Sequence, residues 1–252
     1  MVLTDDGEAA EDWTGRAFSC QDCLHQELRE GGRCVLGRIC VRDKRARRID
    51  GFFAKNPEYA GDYLDHLYFE VRALAAKYAN PFQLARLMKD PEAEVRAVAA
   101  LKLPLVRVRD MRHDKSSAVR QACALRLEGA DLVAMAGDEN EQVRLTVARR
   151  LDPALLPMFL DDPAPSVRRE VAARIPVNRL YPLLHDHDAL VRRAAAERAA
   201  PDSLSLLVND PDLRLRYVVA DRAPRAVAIK LVNDMDEEVA RRARERRDES
   251  AN

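Results

Sequence analysis

Residues 162–185 read DPAPSVRREVAARIPVNRLYPLLH, and this stretch decides the fold because its pattern returns along the chain every 24 residues. Aspartate opens the unit at Asp90, Asp114, Asp138, Asp162, Asp186, Asp210 and Asp234. The sixth position is Val71, Val95, Val119, Val143, Val167, Val191, Leu215 and Val239, and the seventh is Arg72, Arg96, Arg120, Arg144, Arg168, Arg192 and Arg216. The eleventh is alanine seven times running, from Ala76 through Ala100, Ala124, Ala148, Ala172 and Ala196 to Ala220. Self-similarity at a fixed period marks a stack of identical supersecondary units.

Each unit predicts one amphipathic helix. Apolar residues at positions six, ten and fourteen, as in Val143, Val147 and Leu151, share one face, and the alanine column lets neighbouring helices approach closely. The aspartate is expected as N-cap, followed at Pro91, Pro163 and Pro211 by proline in the first helical position. A second proline, at Pro81, Pro104, Pro153, Pro176, Pro201 or Pro224, then stops the helix. Beyond it apolar residues recur every third position: Leu105, Val108, Met111; Val177, Leu180, Leu183; Pro201, Leu204, Leu207. Period three fits a 3₁₀ turn or a tight α turn better than a strand, whose period is two. A unit of 24 residues is also too short for the paired helices of longer α repeats. The expectation is an all-α, right-handed solenoid in which each 24-residue layer holds one α-helix and one short 3₁₀ helix. The last unit, with Ala240 in the arginine column and Arg244 in the alanine column, suits a solvent-facing cap.

The N-terminal quarter has a different grammar. Seven of the nine glycines lie at or before Gly61, with the only tryptophan and four of the five cysteines, Cys20, Cys23, Cys34 and Cys40. This divides the sequence into a cysteine-rich domain, 1–65, and a repeat domain, 66–252. Phe52, Phe53, Tyr63 and Leu64 supply an apolar seam by which the first would dock on the open end of the second.

Composition narrows the function classes. Forty-two basic and 42 acidic side chains among 252 residues cancel, and 47% of residues are apolar, so the chain is neither a disordered tail nor a globally basic nucleic-acid binder. No apolar run reaches a membrane span, and the acidic start MVLTDDGEAAED is unlike a signal peptide, so a cytoplasmic location is expected. In a reducing compartment, four clustered cysteines point to a thiolate metal site rather than to disulfides.

Cys20 and Cys23 are expected at the start of a helix, Gln21–Glu30, ended by Gly31 and Gly32, where the helix dipole would stabilise thiolate charge. Gly37 would let the chain bend between Cys34 and Cys40, and Arg33, Arg38 and Arg42 would offset negative charge. Four sulfurs suit tetrahedral zinc and an iron-sulfur cluster equally. Cys123, at position ten of its unit, is expected in the core. His25 is a lesser ligand candidate, and His66, His113, His185 and His187 fall at unit boundaries as loop or capping residues.

A second arginine column, Arg126, Arg150, Arg174, Arg198, Arg222 and Arg246, parallels the first. Ion pairing between layers accounts for both columns, and phosphate binding is the rival reading. The basic run Arg42, Lys44, Arg45, Arg47 and Arg48 either pairs with the acidic start, at Asp5, Asp6, Glu8, Glu11 and Asp12, or forms a docking patch for an acidic redox partner.

The pattern Asp-Pro-x-x-x-Val-Arg-x-x-Val-Ala-x-Arg-Leu, best kept at residues 162–175, together with the cysteine-rich start, resembles the leucine-rich repeat variant (LRV) family over nearly the whole chain. The resemblance implies layers alternating α and 3₁₀ helices and a 4Fe-4S cluster on Cys20, Cys23, Cys34 and Cys40. No nucleophile elbow, phosphate loop or HExxH occurs, so the chain reads as a non-enzyme. The leading expectation is an iron-sulfur protein, redox-active or oxygen-responsive, whose repeats bind a protein partner. The rivals are a zinc-stapled interaction module and, behind it, a nucleic-acid-binding solenoid.

Overall fold

The computed structural model describes residues 10–21 and 23–249. The chain divides into two compact units, Met1–Asp131 and Leu132–Asn252. The first contains both the cysteine-rich segment and the first repeats, so the change of sequence grammar near residue 65 falls inside one packed unit. Among the described residues there are helices and two isolated antiparallel bridges, Glu11 with Ala17 and Val35 with Ile39, but no strand. No helix is long and apolar enough to cross a membrane.

The 24-residue period becomes a period of helices. In the first unit α-helices begin at Phe69, Ala93 and Ser117, and in the second at Glu141, Pro165, Ala189, Leu213 and Glu237. A short helix follows each of the seven that begin between Phe69 and Leu213. Pro81–Lys89, Pro153–Phe159 and Pro201–Leu207 are 3₁₀, while Leu105–Met111 is α, so both forms of the tight turn occur. The proline stop acts through the residue before it. Leu103 and Ile175 leave their helices with ψ of 153° and 148°, the extended conformation that a following proline imposes. All seven alanines of the column are fully buried, as are Val167 and Val171 beside Ala172.

Two expectations about the unit fail. The N-cap is not the aspartate but the residue two positions later: Asn140, Asp188, Asp212 and Asp236 there accept from the first helical N–H groups. The aspartate instead makes an Asx turn, as where Asp186 Oδ1 accepts from Asp188 N at 2.8 Å, and Pro91, Pro163 and Pro211 lie in that turn rather than in the helix. Of the period-three residues, the second and third point inward (Val108, Met111; Leu180, Leu183), whereas the first, Leu105 or Val177, is about half exposed.

The aspartate is free for this turn because its other task lies with the previous layer. Arg96 grips Asp114 through Nε–Oδ2 at 2.7 Å and Nη2–Oδ1 at 2.8 Å, and the same fork joins Arg72 to Asp90, Arg168 to Asp186, Arg192 to Asp210 and Arg216 to Asp234. The remaining nitrogen of each donates to the carbonyl of its own unit's first residue, as Arg168 does to Asp162 O at 2.7 Å. The second arginine column reaches back to carbonyls at the end of the preceding helix. Arg198 donates to Ala172 O and Ile175 O at 2.8 and 2.7 Å, and Arg222 to Ala196 O and Ala199 O at 2.7 and 3.0 Å. Helix C-terminal carbonyls have no partner within their own helix, so these cations stabilise each layer from its neighbour. The guanidinium groups of these members face the fold and not a ligand groove.

Candidate metal centre

The cysteine segment is built from turns. Gly15, at φ 79°, closes the loop bridged by Glu11 and Ala17, which returns Phe18 to Ala10, where Phe18 N donates to Ala10 O at 3.0 Å. Cys20 and Cys23 occupy the next turn, with Cys23 N donating to Cys20 O at 3.3 Å. The helix expected over residues 21–30 is confined to Glu27–Glu30, so neither cysteine lies in it. Gly31 and Gly32 do end it, Gly32 at φ 63°.

Gly37, at φ 77°, then forms the bend the sequence called for. Around it Val35 and Ile39 exchange both backbone hydrogen bonds at 2.8 Å, which makes residues 34 and 40 the adjacent, non-hydrogen-bonded pair of a minute hairpin. Their own N–H groups go elsewhere: Cys34 N to Leu28 O at 3.2 Å, Cys40 N to Arg48 O at 3.0 Å. The two side chains meet on one face, and the Cys40 thiol hydrogen-bonds to Cys34. That bond lowers the Cys34 pKa and, with burial, raises that of Cys40.

Cys34 is 4% exposed and borders an open cleft of about 1080 Å³ that Cys23, Leu24, Arg29 and Leu36 also line. Cys40, 2% exposed, sits behind it against Ala10, Phe18 and Leu36. Burial pushes the Cys20 thiol up while Arg29 and Arg42 pull it down, and each of Cys20, Cys23 and Cys40 is close enough to influence the ionisation of Cys34 or Cys20. The four cysteines therefore share one neighbourhood. All are free of disulfides, and among the described residues no three His, Cys, Asp or Glu side chains are grouped as one bare ion would need. By ligand type, four thiols free of disulfides, two of them withdrawn from solvent and flanked by cations, suit an iron-sulfur core or zinc, and zinc would need them drawn closer than they stand.

The cations that matter are only partly those expected. Arg42 stands 4.9 Å from the Phe18 ring centroid and donates to Ser19 O at 3.3 Å, but Arg33 turns away to pair with Glu58. Arg29, not singled out in the sequence, acts on both Cys20 and Cys34; the available signal was its place one helical stretch after Cys23. The sequence marks Tyr63 only as part of the apolar seam. Its hydroxyl lies 2.6 Å from His25 Nε2, and its pKa is raised by burial and by Cys23, Cys40 and Cys34. No local signal links residues 38 positions apart. His25 itself is 7% exposed, packed on Phe52 and Tyr59, with its pKa lowered by that burial.

Phe52, Phe53 and Leu64 are fully buried, and the Phe53 ring stacks 6.4 Å from Tyr78 in the first repeat helix, so the seam docks as expected. Of the basic run, Lys44 pairs with Glu11 of the acidic start at 2.7 Å, whereas buried Arg48 pairs at 2.9 Å with Asp43, which lies beside the run itself. Asp5, Asp6 and Glu8 lie outside the described residues. Cys123 belongs to a repeat helix instead. It is fully buried in the helix Ser117–Ala124, its pKa pushed up to about 12 by burial and the Asp114 charge.

Residues 10–62 match the family model described as "LRV protein FeS4 cluster", a span that takes in all four clustered cysteines. A protein of Rhodobacter capsulatus, the uncharacterized 27.7 kDa protein in the nifB 3′ region, is 46% identical over 87 residues, 34% of this chain and 36% of that protein. The matched stretch thus spans about a third of that relative's length. A solved structure described as a leucine-rich repeat variant with a novel repetitive structural motif superposes with a TM-score of 0.84 at 33% identity, over 91% of this chain and 98% of that one. The helix and short-helix layers are those of that solenoid, and the protein belongs to the leucine-rich repeat variant family.

Proposed function

We infer that Cys20, Cys23, Cys34 and Cys40 together hold a 4Fe-4S cluster, in a cytoplasmic protein that performs no enzymatic step of its own and whose repeats carry a protein partner. The observation that carries this reading is the convergence of four free thiols within the 10–62 segment matched by an FeS4-cluster family model. When bound, such a cluster supplies one-electron redox chemistry or an oxygen-labile centre. The chain's own residues make the setting. Arg29 and Arg42 counter thiolate charge, and Ala10, Phe18 and Leu36 keep water from Cys40. The His25–Tyr63 pair walls the site with polar groups that satisfy each other.

A scaffold role is supported by apolar side chains left exposed on the short helices, among them Phe82 at 85%, Val106 at 65% and Tyr181 at 60%. The relative's position beside nifB supports seeking the partner among proteins made during nitrogen-fixing growth. The test is metal and sulfide analysis of anaerobically purified protein. Iron and acid-labile sulfide in equal amounts, with absorbance that bleaches in air, are expected; one zinc per chain without sulfide would replace the cluster by a structural staple. Binding to nucleic acid that weakens steeply with salt would instead revive the polyanion reading.

A further inference from the structure

We propose that Cys34 and Cys40 are a dithiol oxidised to an intramolecular disulfide in the cluster-free chain by a low-molecular-weight disulfide such as oxidised glutathione, which blocks cluster loading until the pair is reduced. The proposal deepens the reading of these cysteines as cluster ligands and rests on it for the loading step alone.

Geometry carries it. The doubly bonded pair Val35–Ile39 makes 34 and 40 a non-hydrogen-bonded hairpin pair, for which the Cα atoms stand about 4.5 Å apart with side chains on one face. A disulfide accepts Cα separations of about 4.4–6.8 Å, so the bond needs no backbone rearrangement. Cys20 and Cys23 sit on a turn with no such cross-chain pairing, and Cys123 is fully buried in a repeat helix.

The site also has a direction. Cys34 borders the open cleft, whereas Cys40 lies behind it in a cluster with Ala10 and Phe18. The Cys34 thiolate attacks one sulfur of glutathione disulfide, breaking its S–S bond and releasing one glutathione thiolate. Cys40, giving its proton to solvent, then attacks Cys34 Sγ, forming the internal S–S bond and releasing the second glutathione. Two cysteine thiols are oxidised and one glutathione disulfide is reduced to two thiols.

The test starts from anaerobically purified full-length protein whose iron and sulfide have been measured. The cluster is removed by chelation under reductant, and the chain is exposed to oxidised glutathione, alkylated and digested with trypsin. Cleavage after Arg33, Arg38 and Arg42 leaves CVLGR (34–38) and ICVR (39–42), so the bond appears as two peptides joined with the loss of two hydrogens. That species is expected as the main product, with Cys20 and Cys23 alkylated. In Cys40→Ser a glutathione adduct is expected to persist on CVLGR, and in Cys34→Ser Cys40 is expected to stay unmodified. Protection of Cys123 from alkylation reports that each variant is folded; should a variant expose Cys123, the wild-type linkage map alone decides. Iron uptake on reconstitution is expected to fall to background in the oxidised chain and to return after reduction.

A main product linking Cys20 to Cys23, or four equally alkylated cysteines, overturns the dithiol. Unchanged iron uptake by the oxidised chain overturns the control of loading. Absence of iron and sulfide from the starting protein would sink the cluster reading while the linkage map still judged the dithiol.

Discussion

Replacing Arg168 by alanine tests how the layers are held together. Arg168 and Asp186 have side chains 4% and 5% exposed and share two bonds, Nε–Oδ2 at 2.6 Å and Nη2–Oδ1 at 2.9 Å. Truncation leaves the Asp186 carboxylate with the Asp188 N–H and, at 3.8 Å, the exposed His187 ring, and strips Asp162 O of its donor. Removing one member of a buried pair costs about 3–5 kcal/mol, chiefly through the uncompensated charge left behind. The exposed pair Arg193–Glu197, at 45% and 56%, is the internal comparison: Arg193→Ala should cost about 0.3–0.5 kcal/mol. Layered proteins need not unfold in one step, so urea titration is best paired with native-state hydrogen exchange at the helix Pro165–Arg174. The double change Arg168→Met with Asp186→Leu should recover most of the loss, since it removes both charges. A cost for Arg168→Ala below about 1 kcal/mol, or equal to that of Arg193→Ala, would refute the interlayer role.

Further outcomes follow from the same contacts. Burial would raise the carboxyls of Asp90, Asp114 and Asp186, but hydrogen bonds from arginine and backbone outweigh it; at Asp234 the arginine bond leads, and all four sit below the ordinary range. Their stabilisation is complete above an unfolded-state pKa of about 3.9 and disappears as pH falls through the lower folded values, so acid unfolding by circular dichroism should begin near pH 4. Ala172→Leu should destabilise by about 1–3 kcal/mol in urea titration, because its site is fully buried between helices. Cys123→Ala should leave iron content unchanged, since that thiol is a core side chain and not a ligand.

What the sequence made legible is what periodicity encodes. Val167, Val171 and Ala172 had to share a buried face, and Pro176 had to end their helix, because those consequences are local. The charge columns were legible too, since an arginine and an aspartate repeating in step can meet only between layers. The cap was misplaced by two residues because Asp162 can serve a helix or a turn equally well in isolation. Its use is settled by Arg144, which reaches it from 18 positions away at 2.7 Å. In the N-terminal segment no repeat averages the signal. Gly37 foretold a bend, but the meeting of Tyr63 with His25 and of Arg29 with Cys34 depends on how turns fold over one another.

Whether four thiols grip one inorganic core is decided by the iron and labile sulfide of anaerobically prepared Cys20→Ser, Cys23→Ser, Cys34→Ser and Cys40→Ser beside the parent chain. Equal iron and sulfide are expected in the parent, with a marked loss of both in every one of the four. Retention of the parental iron and sulfide content in any two of them would contradict the shared core.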